Sequence, residues 1–282
     1  MIRYPTTLKD IENEVAAIDP KWLSKAAKRS VKLIKAGKYV EASSIWSVVK
    51  PVFMKVQKNK CLFCERQFES EKYGKIEFDL EHFRPKGAVR KWPESAGVPP
   101  YAFETGDAAD GYYWLAYSLA NYAACCKACN TTLKSSYFPI AGSRAGLAGN
   151  LPAEQPFLCY PIGSSDADPE DLVTFVGIVA VPAAQVGHDR RRGQVIIDFF
   201  DLNRRDTLEQ QRATMIMLLG NALVAVDDGT GGPEDHEIIQ ACLKAHMPHA
   251  GCLRAFYRQW NTDKAYARDL HRLAKKRFLA SA

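Results

Sequence analysis

No stretch of this chain is apolar for long enough to span a bilayer. The longest nearly apolar run, Leu172 to Val181, falls far short of the ~20 residues a crossing helix needs. The opening Met1-Ile2-Arg3-Tyr4-Pro5 lacks the apolar core and cleavage site of a secretory leader, so a reducing, cytoplasmic setting is expected. No GxxxxGK[ST] phosphate loop is present, which argues against nucleotide hydrolysis by the chain alone. Internal repeats and low-complexity tracts are missing too, excluding solenoids and disordered tails.

What is present is an ordinary globular composition over 282 residues, 47% hydrophobic and 25% charged. The 38 Lys and Arg against 32 Asp and Glu give a formal charge of +6, which suits a polyanionic partner without requiring one. A chain of this size buries enough surface to fold without metal or disulfide. Its eight cysteines are therefore read through chemistry, and in a reducing compartment paired cysteines point to metal before disulfide.

The patterning predicts an α+β, predominantly helical protein in three segments: 1–60 helical and suited to partner docking, 61–140 carrying the unusual features, and 141–282 mixed, then helical. A helix is expected from about Trp22 to Gly37 and another over Val40 to Val56, with Pro51 as kink or break. Lys75 to His82 alternates like a strand, and a Pro- and Gly-rich loop follows to Gly111. Tyr112 to Asn130 reads as largely helical, with Tyr113, Trp114 and Tyr117 as local core. Leu172 to Val181 is the second strand candidate, and helices fill the remainder after Gln194.

Cys61-Leu62-Phe63-Cys64 and Cys126-Lys127-Ala128-Cys129 are two CxxC knuckles, the spacing that lets two thiolates reach one tetrahedral zinc. Four thiolates close the coordination sphere, so this Zn²⁺ is structural. Cys125 is an alternative to Cys126, but only Cys126 preserves the two-residue gap to Cys129. Between the knuckles lies Asp79-Leu80-Glu81-His82-Phe83-Arg84-Pro85-Lys86; Asn121 precedes Cys126 by five residues and Asn130 follows Cys129. A histidine beside a carboxylate suits deprotonation of water, and hard oxygens from Glu81 and Asn130 suit Mg²⁺ or Mn²⁺ with several waters retained. Asp79 shares the strand face of Glu81 and is a further oxygen donor.

Taken together and in order, these elements resemble the HNH endonucleases, whose pattern is CxxC, Asp/Glu-His-x-x-Pro, then Asn-x4-Cys-x2-Cys-Asn/His. The resemblance implies a zinc-stapled ββα-metal finger with flanking helices, in which His82 is the base, Glu81 and Asn130 hold the ion and Asn121 orients His82. A narrower likeness over about 61–212 involves Glu81-His82-Phe83-Arg84-Pro85-Lys86, Tyr113-Trp114-Leu115-Ala116-Tyr117, Cys129-Asn130 with Lys134, and Phe138-Pro139. Gln155-Pro156-Phe157-Leu158, Asp168-Pro169-Glu170, Gly193 and Leu202-Asn203-Arg204-Arg205 extend it. It is to the HNH effector nuclease of Septu and Septu-like retron anti-phage systems, and it implies an ATPase partner subunit and nucleic acid as substrate, DNA before RNA.

Arg84, Lys86 and Lys134 are the expected phosphate contacts, with Arg90, Lys91 and Lys127 close by. Two basic stripes, Lys25 to Lys35 and Arg254 to Lys276, are read as solvated faces. Cys242, His246, His249 and Cys252 are spaced too irregularly for a second zinc site. Two other readings are a non-catalytic zinc-stapled interaction module and a restriction-type enzyme with its own sequence specificity.

Overall fold

A computed structural model describes residues 1–41, 43–69, 77–93 and 101–280. Contacts divide the chain into two compact units, Tyr4–Leu62 with Phe68–Asp166, and Met1–Arg3 with Phe63–Gln67 and Ala167–Ala282. Together they make an α+β protein, predominantly helical, with two small antiparallel sheets. No helix among the described residues is long and apolar enough to cross a membrane.

In the first unit, α1 (Leu8–Ile18) starts at Thr7, whose hydroxyl accepts from Asp10 N while the Asp10 carboxylate accepts from Thr7 N. This reciprocal pair satisfies two donors that a helix start would leave open. α2 (Trp22–Ala36) buries Trp22, Ala26 and Leu33 on one face and stops at Gly37, whose φ of 65° is the left-handed cap that glycine adopts without strain. The helix expected over Val40 to Val56 is shorter. A 3-10 turn at Trp46–Val49 leads into α3 (Lys50–Val56), and Pro51 sits in its first turn, where a missing N–H costs nothing. Pro51 therefore begins a helix.

The central sheet is β1 (Phe78–His82) paired antiparallel with β2 (Tyr122–Cys126), in a register that sets Phe78 opposite Cys126 and His82 opposite Tyr122. Residues 75 and 76 of the expected strand lie outside the described residues. β2 overturns the largely helical reading of Tyr112 to Asn130. Only 3-10 turns form at Tyr113–Leu115 and Leu119–Asn121, and the helical segment is Ala128–Lys134, a π-helix. The reason is burial. All five residues of Tyr122-Ala-Ala-Cys-Cys are enclosed, so the run has no polar face for a helix to present, and its backbone groups are satisfied by the ladder to β1. The loop after His82 is closed on itself by an antiparallel bridge from Val89 to Ala109, and residues 94–100 of it are outside the described residues.

In the second unit the strand expected over Leu172 to Val181 is a hairpin, β3 (Val173–Val176) and β4 (Val179–Pro182), turning at Gly177 with φ 56°. It follows α4 (Pro169–Leu172) and packs on α5 (Gly187–Phe199). Gly193 lets that helix approach closely, since a Cβ there would lie 2.2 Å from the Leu172 carbonyl oxygen. α6 (Asp206–Asp227), α7 (Pro233–Cys242), α8 (Ala250–Thr262) and α9 (Lys264–Leu279) complete this unit. Buried Arg212 at its centre donates to the carbonyls of Leu202 and Ile178 and lies over the Phe175 ring.

Candidate functional site

The four cysteines of the knuckles meet. Cys61, Cys64, Cys126 and Cys129 are buried, and their sulfurs all lie within 4.8 Å of one another. Tetrahedral zinc with Zn–S bonds of ~2.3 Å sets sulfurs about 3.8 Å apart, so this donor set can hold a structural ion such as zinc. None of the eight cysteines is in a disulfide. Cys126 completes the quartet; Cys125 lies 3.9 Å from Cys61 through sulfur, a buried thiol whose pKa burial raises well above its usual value. Gln57 ties α3 to this ladder: its amide donates to the carbonyls of Lys60 and Ala124 and accepts from Ala124 N. Cys242, His246, His249 and Cys252 form no such group, the quartet being the only cluster of three or more His, Cys, Asp or Glu that could hold a metal ion among the described residues.

Beside β1 opens a cavity of about 420 Å³ lined by consecutive residues Asp79, Leu80, Glu81 and His82, by Asn130 and Thr131, and by Trp46, Lys50 and Lys86. It brings together His82, Glu81, Asn130 and Lys86, which sequence reasoning had selected. His82 is only 4% exposed. Its ring stands edge-on between Trp46, 4.8 Å away, and Tyr122, 5.1 Å away. Nε2 lies 3.0 Å from the Ala116 carbonyl oxygen. A carbonyl only accepts, so Nε2 carries the proton and the Nδ1 lone pair is left unprotonated. Burial, reinforced by the positive charge of Lys86, lowers the His82 pKa to about 3. The imidazole is neutral throughout the physiological range.

The acidic groups are already held by lysines. Lys134 is fully buried and donates to Glu81 Oε1 at 2.6 Å and to the His82 carbonyl at 3.0 Å. Burial raises the Glu81 pKa, and the Lys134 charge opposes that shift. Asp79 accepts from Lys127 at 2.6 Å and from the Asn130 amide at 3.3 Å, with Lys50 3.7 Å from its other oxygen. Carboxylate and amide oxygens from Asp79, Glu81 and Asn130 around one cavity fit a small hard cation by donor chemistry, and the lysines limit how many of those oxygens it can take. Such an ion would keep several waters.

Asn121 does not touch the His82 ring. Its side chain accepts from Arg84 N at 2.8 Å and donates to Arg84 O at 3.0 Å and Leu115 O at 3.3 Å. It thereby clamps the turn after β1 to the segment whose Ala116 carbonyl orients His82. Two expected phosphate contacts are corrected. Arg84 is turned inward onto buried Glu154, 2.9 Å away, with its guanidinium over Phe138, and Lys134 is the internal partner of Glu81. Arg90 stacks on Tyr137, Lys91 pairs with Asp107, and Lys127 holds Asp79. Of these cations Lys86 alone makes no ion pair or hydrogen bond with a described residue; its ammonium sits over the rings of Trp46 and Tyr39, 4.8 and 5.5 Å from their centroids. Burial lowers its pKa.

Trp46, Tyr39 and Lys50 were missed from sequence. They lie more than thirty residues before His82, with no spacing motif to announce them. Comparison of the chain with family models, with curated proteins and with solved structures finds no match.

Proposed function

We propose that this chain is a metal-dependent HNH endonuclease that hydrolyses phosphodiester bonds of nucleic acid, DNA before RNA. The observation that carries the reading is the geometry of His82: Nε2 is taken up by the Ala116 carbonyl, which leaves the lone pair of Nδ1 free, and the ring lines one cavity with Asp79, Glu81 and Asn130. In this mechanism His82 Nδ1 takes a proton from the attacking water as its oxygen bonds to phosphorus. The bond to the departing oxygen breaks, and that oxygen takes up a proton from solvent. Glu81 and Asn130, with Asp79 beside them, would hold Mg²⁺ or Mn²⁺, which neutralises charge on the phosphate when bound. Lys86 is the ammonium free to meet the phosphate from the other side. Asn121 is a positioning residue.

The strand pair β1–β2 followed by the helical segment Ala128–Lys134, with the cysteine quartet at its base, is consistent with a zinc-stapled ββα-metal finger. The Septu-like motifs support a role as effector in an anti-phage complex with an ATPase. The test is cleavage of plasmid and RNA by the full chain, alone and with an ATPase encoded beside it, in Mg²⁺ or Mn²⁺. His82→Ala is expected to lower cleavage by roughly 10²–10⁴-fold, with zinc content and circular dichroism unchanged. Equal cutting by that variant refutes the assignment.

One observation favours a second reading. The quartet is the only metal-type cluster among the described residues, as expected of a zinc-stapled module that binds without cutting. Nucleic-acid binding with no cleavage in either metal would select it.

A further inference from the structure

The two basic stripes that sequence reasoning left facing water differ in their partners. Along α8 and α9, each arginine of the stripe meets a carboxylate: Arg254 and Arg258 pair with Glu170, Arg268 with Asp227 and Asp228, and Arg272 with Asp269. That stripe is largely neutralised within its own unit. On α2 the situation is reversed. Between Asp19 and Glu41 the sequence carries Lys21, Lys25, Lys28, Arg29, Lys32, Lys35 and Lys38 and no acidic residue. Lys25 pairs with Asp19 at 2.8 Å. Lys28, Lys32 and Lys35 are exposed and make no ion pair or hydrogen bond with any described residue.

These three lysines recur at i, i+4 and i+7 and so share one helix face. Of the other basic residues on α2, Arg29 pairs with Glu41 at 3.2 Å, whereas the three lysines have no such partner among the described residues. Trp22, Ala26 and Leu33 are buried on the inner side, while the exposed apolar residues Leu23, Val31 and Ile34 lie together on a flank, by the ~100° per residue of an α-helix. The lysine row is therefore an uninterrupted line of like charge. At a rise of ~1.5 Å per residue it spans about 10 Å, comparable with the distance over four successive phosphates of a strand spaced ~3.4 Å along a duplex axis. α2 is also fastened to the wall of the cleft. Its Arg29 donates to the Tyr117 hydroxyl at 3.2 Å, Tyr117 packs against Trp46 at 5.7 Å, and Trp46 packs against His82 at 4.8 Å.

We propose that Lys28, Lys32 and Lys35 form a rail that binds the sugar-phosphate backbone of nucleic acid, outside the cleavage chemistry and without base readout. The choice of nucleic acid over another polyanion rests on the nuclease reading above. Unmatched ammonium groups of this spacing gain affinity by releasing counterions from phosphate, so the signature is salt dependence.

The experiment is fluorescence anisotropy of labelled 20-base-pair DNA and of a 20-nucleotide single strand, titrated with the full chain carrying His82→Ala to prevent cutting. Adding Lys28→Gln, Lys32→Gln and Lys35→Gln together is expected to weaken binding roughly tenfold or more at 0.1 M salt. It should make the slope of log K against log salt shallower by about 2 to 3. Circular dichroism should be unchanged, and the triple Lys→Arg version should bind like the parent. Arg258→Gln with Arg272→Gln should alter neither affinity nor slope. Unchanged affinity and slope in the triple Gln variant overturn the proposal and leave the row to an acidic protein surface; failure of the parent to bind either probe overturns it equally. Binding without cutting by the chain with His82 intact would sink the nuclease reading and leave the rail standing, so the two failures are distinguishable.

Discussion

The cysteine quartet and the cleft around His82 share a strand pair but solve opposite electrostatic problems. In the quartet four identical donors converge within 4.8 Å, so a single divalent ion satisfies all of them and leaves nothing to offer a substrate. In the cleft the groups are mixed: two carboxylates already hold lysines, one imidazole is held neutral, and Lys86 sits over aromatic faces, near enough to Glu81 and His82 for its charge to act on both but without an ion pair or hydrogen bond to a described residue. The difference teaches that matched donors make a scaffold, whereas unequal pairing leaves a residual demand for charge, which under the proposed function a phosphate would meet.

The comparison is broken most severely at the quartet. Cys61→Ser, or removal of an ion from the quartet by a chelator, is expected to lower stability more than any other change considered, because binding to a structural zinc site is folding free energy, ~10–16 kcal/mol in small zinc-finger peptides and less in a chain with a large apolar core. Thermal unfolding with elemental analysis checks this; a chelated chain that melts at the parental temperature would show that the sulfurs need no ion. Next is the buried pair. Lys134→Met leaves the largely buried Glu81 carboxylate on the cleft wall without its ammonium and is expected to destabilise by up to about 3–5 kcal/mol, and the added change Glu81→Gln should recover much of that loss. Urea titration of the two variants decides it, since additive losses would mean the ammonium and carboxylate do not act as a pair.

The smallest effect sharpens the contrast through pH. Because the folded His82 pKa is depressed to about 3, the unfolded chain binds a proton below ~6.5 that the native chain does not, so stability declines as pH falls through that window. The slope approaches ~1.4 kcal/mol per pH unit. Measured as the difference between parent and His82→Gln, which cancels any proton-driven loss of zinc, this decline should appear between pH 6.5 and 4 and be absent above 7. Cleavage should likewise show no midpoint near 6.5.

Much of this was legible before any coordinates. Doubled CxxC spacing marks the quartet because that turn lets two thiolates reach one ion, and the residues Glu81, His82 and Asn130 picked out in order line the cleft, whereas Asn121 lies on the turn behind it. Arg84 and Lys134 were misread for a physical reason: charged residues are expected at the surface, and nothing local reveals that Glu154 and Glu81 will be folded against them. β2 was misread because an enclosed run carries no periodicity to separate strand from helix. Trp46 and Lys86 meet only through tertiary structure.

What the sequence determined by itself is therefore the chemistry of short range: which thiols can share an ion, and where a histidine stands beside a carboxylate. The tertiary structure decided the charges, because an ionised group's energy depends on how much water is excluded and on which partner is brought within a few ångströms. Both depend on residues far away along the chain. The lysine of the cleft that makes no ion pair with a described residue, and the three lysines of α2 that make none outside it, are distinguished from Lys134, Lys127 and Arg84 only by which side chains the fold brings near them.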